Sequence, residues 1–394
     1  MHSNNKLFNI RIALYGFILT VAVIWIHAVE PAFTAGSVYT SDNSVFEIAE
    51  ELLGNVLGQL AVPGFFCMSG YLFFRSFNKE AGKNGDIASV AASGSAEGNI
   101  SRISAVPGNV NGDAAETGCS SASEVALLFR RKLTKRAYSL ALPYVLWNLI
   151  YYIIYLAAGR ASLSVPELVN AVVDYGYNPV FWYLHELILI TVITPLIYVL
   201  LKSKVAVLPV LAAIYASAVF YDFLPFHYVN EDALLYYCTG AAMSLHLKGY
   251  EDKPDYIGRA GAACFLIFVI CTELTHKLSV HGYMAVLIGG RLSGMLMLLA
   301  TACVSVRREM KLPSFTGYNF FIYAVHYLEI RLLQAFFDAM SRCVFGTPLF
   351  ENDVLSTTVY ICMPFMCIAL AVLLGNMLRK LTPGLYAVLT GGRS

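Results

Sequence analysis

Long apolar blocks separated by short polar breaks run the length of the chain. A helix that crosses a bilayer takes about 20 mainly apolar residues. Blocks of that size lie at roughly 11–29, 55–76, 137–158, 180–201, 205–222, 232–248, 257–274, 283–304, 316–338 and 355–378. The pattern predicts an all-α, polytopic membrane helix bundle of about ten transmembrane helices, several of them joined by short turns. The first block follows Lys6 and Arg11, as a signal peptide would. It is too long for a signal h-region, and no A-x-A-like site follows it, so it reads as the first transmembrane helix.

Composition agrees. The 394 residues are 58% hydrophobic and 13% charged, about half the roughly 25% charge of a globular chain. The net charge of +1 gives no ground for a nucleic-acid partner. The placement of the cations is more informative. With the N-terminus in the cytoplasm, most of the 27 Lys and Arg fall on cytoplasmic segments, nine of them between Arg75 and Arg136. The outer loops then hold only Arg160, Lys277 and Arg342. A miscounted helix would reverse every later loop and erase this asymmetry, so ten spans with both termini cytoplasmic are expected.

One stretch departs from the pattern. Residues 79–124 are rich in Gly, Ala, Ser and Asn and poor in aromatics. Such a segment buries too little apolar area to offset its ordering entropy. It reads as a disordered cytoplasmic insertion in a single membrane domain spanning 1–394. The nine cysteines form no CxxC pair and suggest neither a disulfide framework nor a zinc site. Neither a G-x-G-x-x-G fingerprint nor a Walker-type loop is present, and no metal or bound cofactor is expected.

Ionisable groups inside a membrane are expensive, at least about 2.5–3.5 kcal/mol each at a helix centre, and are functional candidates by default. Here they are His27, His185, Glu186, Arg291, His326, Glu329 and Arg331. His27 can take a proton from a hydroxyl, or it can simply mark the outer interface. Arg11 lies roughly 24 Å below it on a continuous helix. The cluster Arg130, Arg131, Lys132, Lys135 and Arg136 suits either a topological anchor or a cytoplasmic phosphate site. In "PGFFCMSGYLFFR", Pro63, Gly64, Ser69 and Gly70 permit close helix packing or a break lining a cavity. His185 and Glu186 sit beside the aromatic belt Phe181, Trp182 and Tyr183, as ligands or as part of that belt. His326 and Glu329 share one helix face. There Glu329 would fix the imidazole tautomer or pair with an arginine such as Arg291.

In this order the motifs become familiar. "VAVIWIHA", "VPGFFCMSGYLFF", "KRAYSLALPYVLWN", "FWYLHELILI", "YYCTGAAMS" and "FFIYAVHYLEI" follow one another. The chain resembles the acyltransferase 3 family of integral membrane acyltransferases over nearly its whole length. The resemblance implies transfer of an acyl group, usually acetyl, from a cytoplasmic acyl-CoA co-substrate to a hydroxyl. The acceptor would be an outward-facing sugar or glycolipid. It implies His27 as the proton acceptor, and Arg136, Lys135, Lys132 and Arg11 as donor-binding residues. Ser69 and Tyr71 (in "SGY") and His326 (in "YAVH") match family positions, while His185, Glu186 and Arg291 remain candidate substrate-binding or structural polar groups. Two departures stand out. The family arginine 11 residues before the histidine is Gly16 here, and the second basic residue of the third-helix pair is Ser139. Arg11 itself precedes His27 by 16 residues, which on an ideal helix sets the two on opposite sides.

On this reading coenzyme A docks from the cytoplasm with its phosphates on the basic rim. The thioester rises between the helices, and His27 deprotonates the acceptor. Glu30, Glu47, Glu50, Glu51 or Asp222 would lie near that acceptor. Such a protein belongs in a bacterial cytoplasmic membrane, surrounded by lipid. A transporter or flippase of lipid-linked sugars would share the helices and buried charges but would not need the basic rim. A glycan polymerase would be expected to carry large outer loops, and the longest here is about 25 residues, at 30–54.

Overall fold

A computed structural model describes residues 2–28, 44–94, 114–220, 229–247, 253–275, 280–306 and 314–392. Among them every regular element is helical and no strand occurs. The ten apolar blocks appear as α1 (His2–His27), α3 (Ala61–Gly94), α5 (Leu142–Ala157), α7 (Trp182–Leu201), α8 (Lys204–Phe220), α9 (Glu231–His246), α10 (Pro254–Thr275), α11 (Val280–Ser305), α12 (Asn319–Phe345) and α13 (Asp353–Leu381). Eight of the helical stretches are long and apolar enough to cross a membrane. The blocks at α8 and α9 form shorter helices, of 17 and 16 residues.

Four further α-helices are α2 (Val45–Ala49), α4 (Ala114–Arg136), α6 (Val165–Val173) and α14 (Pro383–Leu389). Two of them revise the sequence reading. Residues 45–54, placed in an outer loop from composition, are helical, continuous with the block read as the second span. α2 starts with a Ser44 capping box and passes through a π-helical stretch, Glu50–Leu57, into α3. α4 supplies the approach to α5 and carries the basic cluster near its end. Within the segment read as an insertion, 79–94 belong to α3 and 114–124 to α4. Residues 95–113 lie outside the described residues, as do Glu30 and Asp222.

Local signals explain the helix ends. Asn230 and Asn352 cap α9 and α13 by accepting from Ala233 N at 3.0 Å and Leu355 N at 3.1 Å. α12 stops at Gly346, whose φ of +76° is a left-handed cap. The deepest packing is the α3–α9 crossing. A Cβ on Gly70 would overlap the carbonyl of Tyr237, and one on Gly240 would overlap that of Cys67. The "SGY" glycine therefore serves close helix packing, and α3 runs unbroken through it. One large aromatic-rich core joins α1, α3, α5, α7, α9, α12 and α13. α10, by contrast, packs chiefly on α11 and is the least buried of the long apolar helices.

Candidate functional site

α1 delivers His27 on its last turn. The ring is half-buried and faces α12, with its centroid 5.6 Å from that of His326 and 6.2 Å, edge-on, from that of Tyr327. α12 holds this end of α1 in place, since Gln334 Nε2 donates to the carbonyl of Ala28. His326 is fully buried. Its Nδ1 lies 2.7 Å from the carbonyl oxygen of Tyr323. A carbonyl only accepts, so Nδ1 carries the proton and Nε2 is the basic nitrogen of the neutral ring. The backbone therefore fixes this tautomer, and the expectation that Glu329 does so is corrected. Nor does Glu329 pair with Arg291. The Arg291 guanidinium donates to Gln59 Oε1 at 2.8 Å and lies 3.9 Å from Asp232. Arg331 donates to Tyr327 Oη at 3.0 Å with its guanidinium over that ring, so it supports the edge of the histidine pair.

A run of polar and aromatic side chains leads from the histidines toward the basic cluster. The His326 ring lies 5.9 Å from Tyr323, whose ring meets Tyr183 edge-on at 5.8 Å. Tyr183 Oη and Ser69 Oγ are 3.2 Å apart. One helix turn along α3 lie Phe73 and then Ser76. Arg136 and Lys132 stand 5.8 and 5.6 Å from the Phe73 ring, and Lys132 Nζ donates to Ser76 Oγ at 2.6 Å. Arg136 is also in electrostatic reach of buried Tyr237, whose hydroxyl meets Thr194 at 3.2 Å. The basic cluster thus divides. Lys132 is buried and Arg136 half-buried along this run, while Lys135 is exposed. Immediately after Arg136 the backbone shifts to a π-helical register over Ala137–Ala141, a local change often found at functional positions.

The remaining candidates sit elsewhere. Arg11 is buried and lines a cavity bounded by α3, α9, α10 and α11, away from the α12 face that His27 meets. Tyr71 faces that same cavity, stacked on Phe8 at 5.9 Å, so Ser69 and Tyr71 of one motif face different surroundings. His185 rests among Tyr144 and Tyr175 at 6.1 and 5.6 Å, beside Glu186, and not among the groups around His27. Glu186 accepts from Asn230 N at 3.1 Å. A Cβ at Gly16 would lie 3.4 Å from Asn319 Nδ2, so an α12 amide adjoins the place of the family arginine.

Sequence reasoning missed the roles of Tyr183, read only as part of the aromatic belt, and of Tyr323, Tyr327 and Gln334. The first three lie inside the quoted motifs "FWYLHE" and "FFIYAVHYLEI". Gln334 is one of several polar side chains in α12, and nothing in the sequence set its contact apart. Among the described residues no cluster of His, Cys, Asp and Glu could hold a metal ion.

A close imidazole pair, one ring half-buried and one fully buried, in a multi-pass membrane bundle and linked by a polar run to a basic face, fits a membrane-embedded group-transfer protein. The particular kind follows from comparison: the chain belongs to the acyltransferase 3 family, whose acyltransferase domain matches residues 122–378. It is therefore an enzyme, an acyltransferase, and not the sugar transporter that buried charges alone would allow. It is similar to the succinoglycan biosynthesis protein ExoH of Rhizobium meliloti (strain 1021). The two are 24% identical over 309 residues, covering 70% of this chain and 78% of that protein. No solved structure matches the chain.

Proposed function

We propose that the enzyme moves an acyl group, acetyl being the simplest, from cytoplasmic acyl-CoA to a hydroxyl of an extracytoplasmic carbohydrate or glycolipid in a bacterial cytoplasmic membrane, with His27 as general base. The observation that carries this reading is the run from Lys132 and Arg136 through Ser69, Tyr183 and Tyr323 to the His27–His326 pair. The similarity to a succinoglycan biosynthesis protein supports a polysaccharide acceptor.

The chemistry follows from the geometry. Lys132 and Arg136 supply positive charge for the donor phosphates at one end. The uncharged thioester then passes into the aromatic interior. His27, half-buried at the other end, takes the proton of the acceptor hydroxyl as its oxygen attacks the thioester carbonyl. Collapse of the tetrahedral adduct breaks the C–S bond, and His27 returns the proton to the departing thiolate. The products are an ester and free coenzyme A. His326, its tautomer fixed by Tyr323, packs against the His27 ring and holds it for this exchange. Arg11 is not assigned to the donor in this scheme, because it lines a cavity off this run.

Mass analysis of surface glycans tests the reading. Deletion of the gene removes an O-acyl substituent, which wild-type protein restores and His27→Ala at equal expression does not. Unchanged glycans after deletion refute it.

A further inference from the structure

A second polar cluster lies at the same end of the bundle as His27. Gly58 packs against the last turns of α1, where a Cβ would lie 2.7 Å from Ile26 Cγ1 and 3.3 Å from the carbonyl oxygen of Ala22. The next residue, Gln59, therefore stands level with those turns. From α11, Arg291 donates to Gln59 Oε1 at 2.8 Å. The first turn of α9 brings Glu231 and Asp232, the latter 3.9 Å from Arg291. Tyr236 follows Asp232 by one helix turn, so the two share a face. It stands in electrostatic reach of both Asp232 and Arg291.

These groups do not satisfy one another. At 3.9 Å the Arg291–Asp232 contact is too long for a hydrogen bond. Among the described residues Arg291 Nε has no acceptor, Glu231 Oε1 no donor and the Tyr236 hydroxyl no hydrogen-bond partner. Tyr236 is only 2% exposed and Glu231 8%. A buried polar group left unpaired is costly, so its presence calls for a partner from outside the fold. The side chains of Arg291 and Asp232 are 26% and 24% exposed, which leaves the cluster open to one. Its chemistry says which. A hydroxyl accepts from a guanidinium and donates to a carboxylate at once, and so bridges Arg291 and Asp232. The Gln59 amide nitrogen offers further donors, Glu231 an acceptor, and Tyr236 both. One guanidinium stands against two carboxylates, so an anionic ligand is disfavoured. A neutral molecule with several neighbouring hydroxyls fits the set.

We infer that Gln59, Glu231, Asp232, Tyr236 and Arg291 form a binding site for a neutral sugar unit of the glycan acceptor. The inference rests on the acyl-transfer reading above and adds to it the residues that hold the acceptor. Arg291 and Asp232 share one sugar hydroxyl, and Tyr236 and Gln59 meet its neighbours. Level with the last turns of α1, the site holds the glycan at the end of the bundle where His27 acts. Tyr236 is the informative position. Tyr236→Phe deletes a hydroxyl that has no hydrogen-bond partner among the described residues. Folding therefore loses nothing, while the sugar loses a bond. A purely structural hydroxyl would show the opposite, a lower unfolding temperature with sugar binding unchanged.

The test uses the full-length protein purified in lauryldimethylamine oxide, a detergent without a sugar head. Cellotetraose is the neutral probe and tetragalacturonate the anionic one. Saturation-transfer NMR reads binding, and thermal unfolding reads stability. Wild type should transfer saturation to cellotetraose and little to tetragalacturonate. Tyr236→Phe and Asp232→Asn should each cut the cellotetraose signal by about 5-fold or more, the worth of one hydrogen bond. Tyr236→Phe should unfold at or above the wild-type temperature. If it cannot be purified, Asp232→Asn, which keeps the side-chain shape, decides the matter. In membranes, acyl transfer from labelled acetyl-CoA to the cell's own glycan should show the same variants raising the glycan KM by a similar factor, with the acetyl-CoA KM unchanged. No cellotetraose signal from wild type overturns the inference and leaves the gap to water alone. So does an undiminished signal in both variants, or a stronger signal from tetragalacturonate. Cellotetraose binding without any acyl transfer refutes the transfer reading and leaves the sugar site standing.

Discussion

Gly70→Ala probes the joint that sets the catalytic run. Its new Cβ would overlap the carbonyl oxygen of Tyr237 and lie 3.0 Å from Tyr237 C and 3.2 Å from Ala241 N. Comfortable carbon contacts lie at about 3.5–4.0 Å, so α3 and α9 must part by roughly 0.5–1 Å. A gap of that size forfeits about a quarter to a half of each contact's attraction, and overpacking typically costs about 1–3 kcal/mol. Alanine regains about 1 kcal/mol of helix propensity over glycine. The obstacle is backbone, which no rotamer relieves, so a net loss of about 1–2 kcal/mol is expected. Gly240→Ala meets Cys67 C at 2.7 Å and Tyr71 N at 3.0 Å across the same crossing. The double variant should therefore cost less than the sum of the two, because a single separation relieves both. Gly317, with nothing within 4 Å of its Cβ, is the control, and Gly317→Ala should stay within about 0.5 kcal/mol. The assay is thermal unfolding in detergent alongside acyl transfer, since parting α3 from α9 also moves Ser69 from Tyr183. A Gly70→Ala protein as stable and active as Gly317→Ala would refute the crossing.

Three further outcomes follow. Lys132→Met removes a buried, charge-assisted bond to Ser76 and should raise the acyl-CoA KM by about 10-fold or more, while exposed Lys135→Ala changes it little; steady-state kinetics separate the two. Gly16→Arg should lower yield because the new side chain must displace Asn319, and adding Asn319→Ala should restore it, as judged by size-exclusion profiles. Tyr177 donates to Glu167, which together with smaller effects pushes its phenol up to about 12. A raised phenol contributes stability below its unfolded value near 10, and this is lost as pH climbs through about 12. Glu167→Gln should therefore bring Tyr177 ionisation to lower pH in an ultraviolet titration.

The helices were legible because membrane solvation writes itself into the length of the apolar blocks. Gly70 was legible as a small residue, but only the structure shows that it meets the Tyr237 backbone. Residues 45–54 were misread because Glu47, Glu50 and Glu51 dilute hydropathy, which says nothing against a helix at the water boundary. The split of "SGY" was within reach of the sequence, because Ser69 and Tyr71 are two residues apart and point about 200° apart on a helix. Arg11 on a face away from His27 agrees with the 16-residue spacing, and the structure adds the cavity it faces. The Arg291–Gln59–Asp232 cluster and the His326–Tyr323 bond were beyond reach, since nothing local pairs groups so far apart or reveals a backbone acceptor.

The central claim is that His27 accepts the hydroxyl proton during acyl transfer. Labelled acyl transfer into acceptor glycan, measured in membranes holding equal amounts of wild type and His27→Gln, tests it most directly. A general base contributes about 10²–10⁴-fold, so His27→Gln should fall by that factor in kcat with the acyl-CoA KM nearly unchanged. Transfer by His27→Gln at the wild-type rate would contradict the account.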